Sequence, residues 1–202
     1  MRIGMCEKDL RGPLPETLAW IAANGFDGFQ VWQRRIDAAG LKASDVATMA
    51  RDLGLEVTAV GGGPNLVDPR SAQEAIDAFR GFLNLSVELG CRIVTAESKA
   101  KPDDLSDADA WASTAETVAA ICAHAKDIVF TDAGGNAGQA GVRDVAAGEG
   151  RVGYPAYLSA LAATGYDGYL TVEMHMGAET RRRQAVEAAD NLRTLLAAAS
   201  VR

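Results

Sequence analysis

The sequence predicts an α/β protein made of repeating strand–helix units with parallel strands, and three observations predict it. Four times a helix-like stretch ends in Gly and gives way to a short β-branched or aromatic run, at 24–32, 53–60, 89–96 and 164–172. Gly just past a helix takes the left-handed conformation that ends it and turns the chain into the next strand. Two of these junctions are near copies, Gly25-Phe26-Asp27-Gly28-Phe29 and Gly165-Tyr166-Asp167-Gly168-Tyr169, which is an internal repeat of one unit. Finally, stretches of helix length separate the strand-like runs, and strands joined that way pair in parallel through right-handed crossovers.

Taken in order, residues 2–6 (Arg-Ile-Gly-Met-Cys) read as the first strand. Helices are expected over 14–24, 43–53, 71–89, 108–125, 154–164 and 178–199. Leu14-Pro15-Glu16 and Ser71-Ala72-Gln73-Glu74 supply helix-start signals with an acid in the first turn. The four Gly junctions supply the second, third, fourth and last strands. Ile128-Val129-Phe130-Thr131 supplies another, for six in all. The Gly/Ala-rich stretch 133–150 reads as a long loop at the C-terminal end of a strand, where α/β proteins bind ligands. Gly61-Gly62-Gly63 reads as a mobile loop rather than a nucleotide loop, since no G-x-G-x-x-G follows the first strand. One junction breaks the pattern: Ala123-His124-Ala125-Lys126-Asp127 runs into Ile128 with no Gly at all.

At 202 residues the chain suits a single domain, 1–202. A formal charge of −7 argues against nucleic-acid and anionic-membrane partners, which demand clustered Lys and Arg. The one basic run, Arg181-Arg182-Arg183, reads as a solvated helix face beside Glu179 and Glu187. Cys6, Cys91 and Cys122 form no CxxC pair, and two fall in apolar strand-like segments, so buried free thiols are expected. The N-terminus has no apolar h-region and no apolar run approaches ~20 residues, which points to a cytoplasmic protein.

The last third of the chain resembles a known family. Gly148-Glu149-Gly150-Arg151-Val152-Gly153-Tyr154-Pro155, followed by Gly165-Tyr166-Asp167-Gly168-Tyr169-Leu170-Thr171-Val172-Glu173, is similar to the last two units of the xylose-isomerase-like TIM barrels, sugar and sugar-phosphate isomerases and epimerases. Ile128-Val129-Phe130-Thr131-Asp132 resembles that family's seventh strand, written Val-His-x-Lys-Asp. The first hundred residues fit its first four units more loosely.

The resemblance implies a (β/α) barrel with its chemistry at the C-terminal ends of the strands. It also implies a divalent metal, Mn²⁺, Mg²⁺ or Zn²⁺, held by Glu, Asp, His and Glu on strands five to eight. Such a metal polarises a carbonyl while a carboxylate moves a proton on the adjacent carbon.

Glu173 matches the strand-eight ligand, as metal ligand or general base; otherwise it is a strand-end carboxylate that braces a loop. Asp132 matches the strand-seven Asp, as a catalytic residue that touches substrate or as a carboxylate that caps or braces the Gly-rich loop, but Val129 stands where that strand carries His. Nothing resembles strands five and six, and a full barrel of this type needs about 250 residues. The expectation is therefore a TIM-barrel-derived fold of about six units, an incomplete or distorted barrel, with an internal deletion near 123–128. Six strands do not close with eight-strand geometry, so a homodimer that buries strand edges is one expectation. His175 is a candidate substitute metal ligand. Trp32 stacks on a sugar ring or fills the barrel mouth, and Glu97 binds substrate or pairs with Lys99 or Lys101. Gly148 and Gly150 offer backbone N–H groups to a phosphate. Two functions remain: a metal-assisted isomerase or epimerase of a small sugar or sugar phosphate, or a non-catalytic relative that binds a polyol or serves as a scaffold.

Overall fold

The computed structural model describes residues 1–97, 99–122, 154–173 and 178–199. The elements run β1 (Arg2–Cys6), α1 (Leu14–Ala23), β2 (Gly28–Trp32), α2 (Gln33–Ala38), α3 (Ala43–Asp52), β3 (Glu56–Gly62), α4 (Ala72–Glu88), β4 (Val94–Ala96), α5 (Asp107–Cys122), α6 (Tyr154–Ala163), β5 (Tyr169–Val172) and α7 (Ala178–Ala199). The five described strands hydrogen-bond in the order β4-β3-β2-β1-β5, and the β1–β2, β1–β5 and β3–β4 pairs are parallel. This is an α/β, TIM-barrel-derived fold, an incomplete (β/α) barrel. Its last described strand pairs with its first, the neighbour relation by which a βα barrel returns to its start. The expected strand at 128–131 and the loop at 133–150 lie outside the described residues.

All four junction glycines adopt the left-handed backbone they were expected to supply, with φ of 73° at Gly25, 68° at Gly54, 71° at Gly90 and 77° at Gly165. Two details depart from expectation. α2 was not anticipated, because its six residues, Gln33-Arg34-Arg35-Ile36-Asp37-Ala38, bury only Ile36 and so show no helical stripe. The triple glycine is not wholly a loop either, since Gly61 and Gly62 complete β3 and are buried. A methyl group at Gly62 would stand 2.0 Å from the Phe82 ring of α4, so glycine is what lets that helix lie against the strand.

The chain divides into two compact units. The first comprises residues 1–30, 48–58 and the segment from 134 onward. Its core holds Ile3, Met5, Leu14, Leu18, Ile21 and Phe29, each 2% exposed or less. α7 packs on β1 and β5. Along it Ala185, Ala188, Ala189 and Leu192 are buried, a small-residue stripe at helical spacing that brings the helix close to what it covers. The second unit, residues 31–47 and 59–133, is built on the pairing of Val60 with Val94 and on α4 packed against α5. Phe79 and Phe82 meet edge to face there, 5.3 Å between centroids. Arg70 bridges Asp68 and Asp104, and its hydrogen bonds hold the Asp68 carboxyl below its ordinary value. No helix among the described residues is long and apolar enough to cross a membrane.

Candidate functional site

The first unit places a cluster of ionisable groups where β1 and β5 end. In the parallel register Arg2 lies opposite Tyr169, Gly4 opposite Thr171 and Met5 opposite Val172. Side chains alternate along a strand. Ile3 and Met5 therefore face the helices, while Gly4, Cys6, Thr171 and Glu173 belong to the other face. That face is concave: a methyl at Gly28 would meet the Glu56 carbonyl at 2.5 Å, Thr58 at 2.8 Å and Tyr169 at 3.2 Å, so side chains of β3 and β5 converge over β2.

Just past β1 the chain makes a single 3-10 turn, Glu7–Asp9, closed by the Leu10 N–H donating to the Glu7 carbonyl at 3.0 Å. The turn folds Asp9 back beside the strand end. Cys6, Asp9 and Glu173 then present their sulfur and carboxylate oxygens within 4.8 Å of one another, a span that one metal ion could bridge. Lys8 sends its ammonium to Glu173, with Nζ 2.7 Å from Oε1. Glu7 is fully buried and Asp9 is 5% exposed. Arg181, at the start of α7, donates to the Asp9 backbone carbonyl at 2.9 Å. The basic run is thus not simply a solvated face: Arg181 braces the turn, and Arg182 lies 5.5 Å from the Trp20 ring centre. Burial pushes the Cys6 thiol well up, and Asp9, Glu173 and Glu7 push it further in the same direction against the opposing pull of Lys8.

Of the residues singled out in the sequence, Glu173 sits where expected, one residue past the last strand. Trp32 ends β2 at 4% exposure, with Arg34 4.8 Å over its ring. A methyl at Gly63 would stand 3.6 Å from that ring and 3.3 Å from Lys99, so the indole is packed on both protein backbone and guanidinium. Glu97 directly follows β4 and is partly exposed. Trp32 and Glu97 belong to the second unit, Glu173 to the first. Asp132, Gly148, Gly150 and His175 lie outside the described residues. Cys6, Glu7, Lys8 and Asp9 were not anticipated as site residues. The available signal was four ionisable residues in succession, the last residue of a strand and the three after it, where βα barrels gather their chemistry.

The comparisons with known proteins bear on this arrangement. A family described as xylose isomerase-like TIM barrel matches residues 18–131, more than half of the chain. The chain belongs to the xylose isomerase-like TIM-barrel family. No curated protein matches its sequence significantly. Solved structures share the fold at low identity. IOLI protein with a bound zinc atom superposes with a TM-score of 0.78 at 14% identity, over 97% of this chain and 98% of that one. D-Psicose 3-epimerase from Clostridium cellulolyticum H10, solved with D-tagatose, gives 0.75 at 15%, over 97% and 99%. A xylose isomerase-like TIM barrel/4-hydroxyphenylpyruvate dioxygenase fusion protein gives 0.64 at 20%, and there the chain spans only 42% of the other protein's length.

Proposed function

We propose that this xylose isomerase-like chain transfers a proton next to a carbonyl on a small sugar or sugar phosphate, as an isomerase or epimerase does. The observation that carries the reading is Glu173 at the C-terminal end of β5, held by Lys8 at 2.7 Å on the concave face of the sheet. Isomerisation and epimerisation both need a carboxylate that takes a proton from carbon and a positive group that stabilises the enediolate oxygen. Glu173 supplies the first and the Lys8 ammonium the second. Membership of the family and the epimerase among the similar structures support the substrate class.

A divalent metal is the family's expected electrophile, and the chain's residues can be tested against it. Cys6, Asp9 and Glu173 span the right distance, and a thiol among them favours Zn²⁺ over Mn²⁺ or Mg²⁺. Yet Lys8 puts an ammonium directly on one of the three donors. With that charge in place the set does not fit a dication, and no step of this reading runs through one.

A second reading, a non-catalytic relative that binds a polyol, is favoured by Val129, which stands where the family resemblance puts the strand-seven His. The missing segment near 123–128 is part of the same proposal: a single domain, 1–202, that has shed the units for strands five and six.

The test is uptake of solvent deuterium at carbon, followed by NMR over a panel of ketoses and ketose phosphates. Exchange by the wild type, reduced roughly 10²–10⁴-fold in Glu173→Gln, is the expected result. Sugar binding without exchange would leave the second reading standing and the first refuted.

A further inference from the structure

We propose that Lys8 is the resident cation of this site: its ammonium, rather than a divalent metal, balances the Cys6, Asp9 and Glu173 cluster. The inference concerns the site of the proposed function and rests on that reading only for the ammonium's part in proton transfer.

The charge to be balanced here is that of the Asp9 and Glu173 carboxylates, since burial keeps the Cys6 thiol in its neutral form. Cys6 is 1% exposed, Asp9 5% and Glu7 0%, and Glu173 sits beside them with its side chain 25% exposed. Carboxylates withdrawn from water to that degree need a compensating positive charge. Two kinds of cation suit the place, an ion bridging the three donor atoms or a basic side chain, and the fold supplies the side chain. Lys8 is not a surface lysine that drifts onto an acid. Its backbone is fixed inside the Glu7–Asp9 turn, Arg181 clamps the end of that turn, and its side chain is only 12% exposed.

The two cations also exclude each other. An ion bridging Cys6, Asp9 and Glu173 would lie beside an ammonium that is 2.7 Å from one of its ligands, and like charges that close repel strongly in a partly buried site. Removing the ammonium should therefore create a metal site that the wild type lacks. The same geometry gives the ammonium its chemical use: three donors on a cation with no coordination demands can be shared between Glu173 and a developing oxyanion.

The experiment is zinc content by mass spectrometry after loading with Zn²⁺ and desalting, alongside the zinc dependence of Tm. The proteins are wild type, Lys8→Met, Lys8→Arg and Lys8→Met/Glu173→Gln. The expected result is no retained zinc in wild type or Lys8→Arg, near-stoichiometric zinc in Lys8→Met, and its loss in the double variant. Zinc affinity should rise at least roughly a hundredfold from wild type to Lys8→Met. Near-stoichiometric zinc in the wild type overturns the inference, as does a folded Lys8→Met protein that retains none. If Lys8→Met fails to fold by circular dichroism, the wild-type and Lys8→Arg arms still decide, since zinc retained by either overturns it. Absence of deuterium exchange would defeat the proposed function and leave these metal results untouched. Exchange abolished by a chelator and restored by zinc would instead overturn the role given to Lys8.

Discussion

The repeated motif occurs twice in one unit, and its two copies share a backbone while differing in what they bury. At Gly25-Phe26-Asp27-Gly28-Phe29, Phe26 is 4% exposed and Phe29 is fully buried. At Gly165-Tyr166-Asp167-Gly168-Tyr169, Tyr166 is 39% exposed and Tyr169 is half-buried. Both copies open on a left-handed Gly, and both tie the residues before the strand to β1. Asp27 N–H donates to the Ile3 carbonyl at 2.9 Å, and Arg2 N–H donates to the Gly168 carbonyl at 3.0 Å. The difference comes from neighbours. β2 lies between β1 and β3, whereas β5 ends the hydrogen-bonded order among the described residues. The motif therefore encodes a turn and a strand start, and its aromatic positions record how much protein covers each copy. Phe suits the copy from which water is excluded, whereas in the second copy the Tyr166 hydroxyl donates to the Tyr169 carbonyl and the Tyr169 hydroxyl is itself buried beneath a partly exposed ring.

The largest test of this contrast is truncation of the matched aromatics. Phe29→Ala should cost about 4 kcal/mol of unfolding free energy, in line with a fully buried Phe, and Tyr169→Ala about half as much. Urea denaturation of both variants checks it, and equal losses would break the comparison. Next come the matched glycines. A methyl at Gly28 meets the Glu56 carbonyl at 2.5 Å, an atom fixed in β3, so Gly28→Ala should cost about 3 kcal/mol. A methyl at Gly168 meets only the exposed Tyr166 ring, which can shift at the cost of the hydrogen bond its hydroxyl donates to the Tyr169 carbonyl, so Gly168→Ala should cost about 2 kcal/mol.

The same contrast explains how far the sequence could be read. Hydrophobic periodicity and the Gly stops placed five of the six helices within one residue at both ends, and the start of α5 equally well, because a helix end is a local event with a local residue signature. The expected end of α5 at 125 lies outside the described residues. α2 escaped because one buried Ile in six residues carries no period. The place of Glu173 at a strand end was legible because the apolar run before it and its likeness to the family's closing Val-Glu are both local patterns. Its partners were not, since Lys8 and Asp9 come from the opposite end of the chain and reach it only through the β1–β5 pairing. That pairing joins strands from opposite ends of the chain, which no local pattern reports.

A smaller effect separates the copies at Asp27. Its carboxylate accepts the Ile3 N–H at 2.7 Å in addition to the backbone exchange between the same two residues. Asp27→Ala should cost about 1.5 kcal/mol in the same denaturation experiment, the usual size for a hydrogen bond to a charged group. A loss no larger than that of Asp167→Ala would show that the backbone pairing alone sets this junction.

The smallest effect is one that only the second copy can show, because Tyr169 titrates and Phe29 does not. Burial pushes the Tyr169 phenol up, and the Glu56 carboxylate beside it adds to the shift. Arg2, stacked 4.3 Å over the ring, opposes it. A phenol raised in the folded state stays protonated while the unfolded chain begins to lose its proton near pH 10. The unfolded state then binds fewer protons than the folded one, so stability falls as pH rises through that range. Tyr169→Phe removes this one contribution, and its stability should decline less steeply than that of the wild type above about pH 10. Parallel curves for the two proteins would mean that the phenol is as well solvated folded as unfolded. The half-buried character assigned to the second copy would then be wrong.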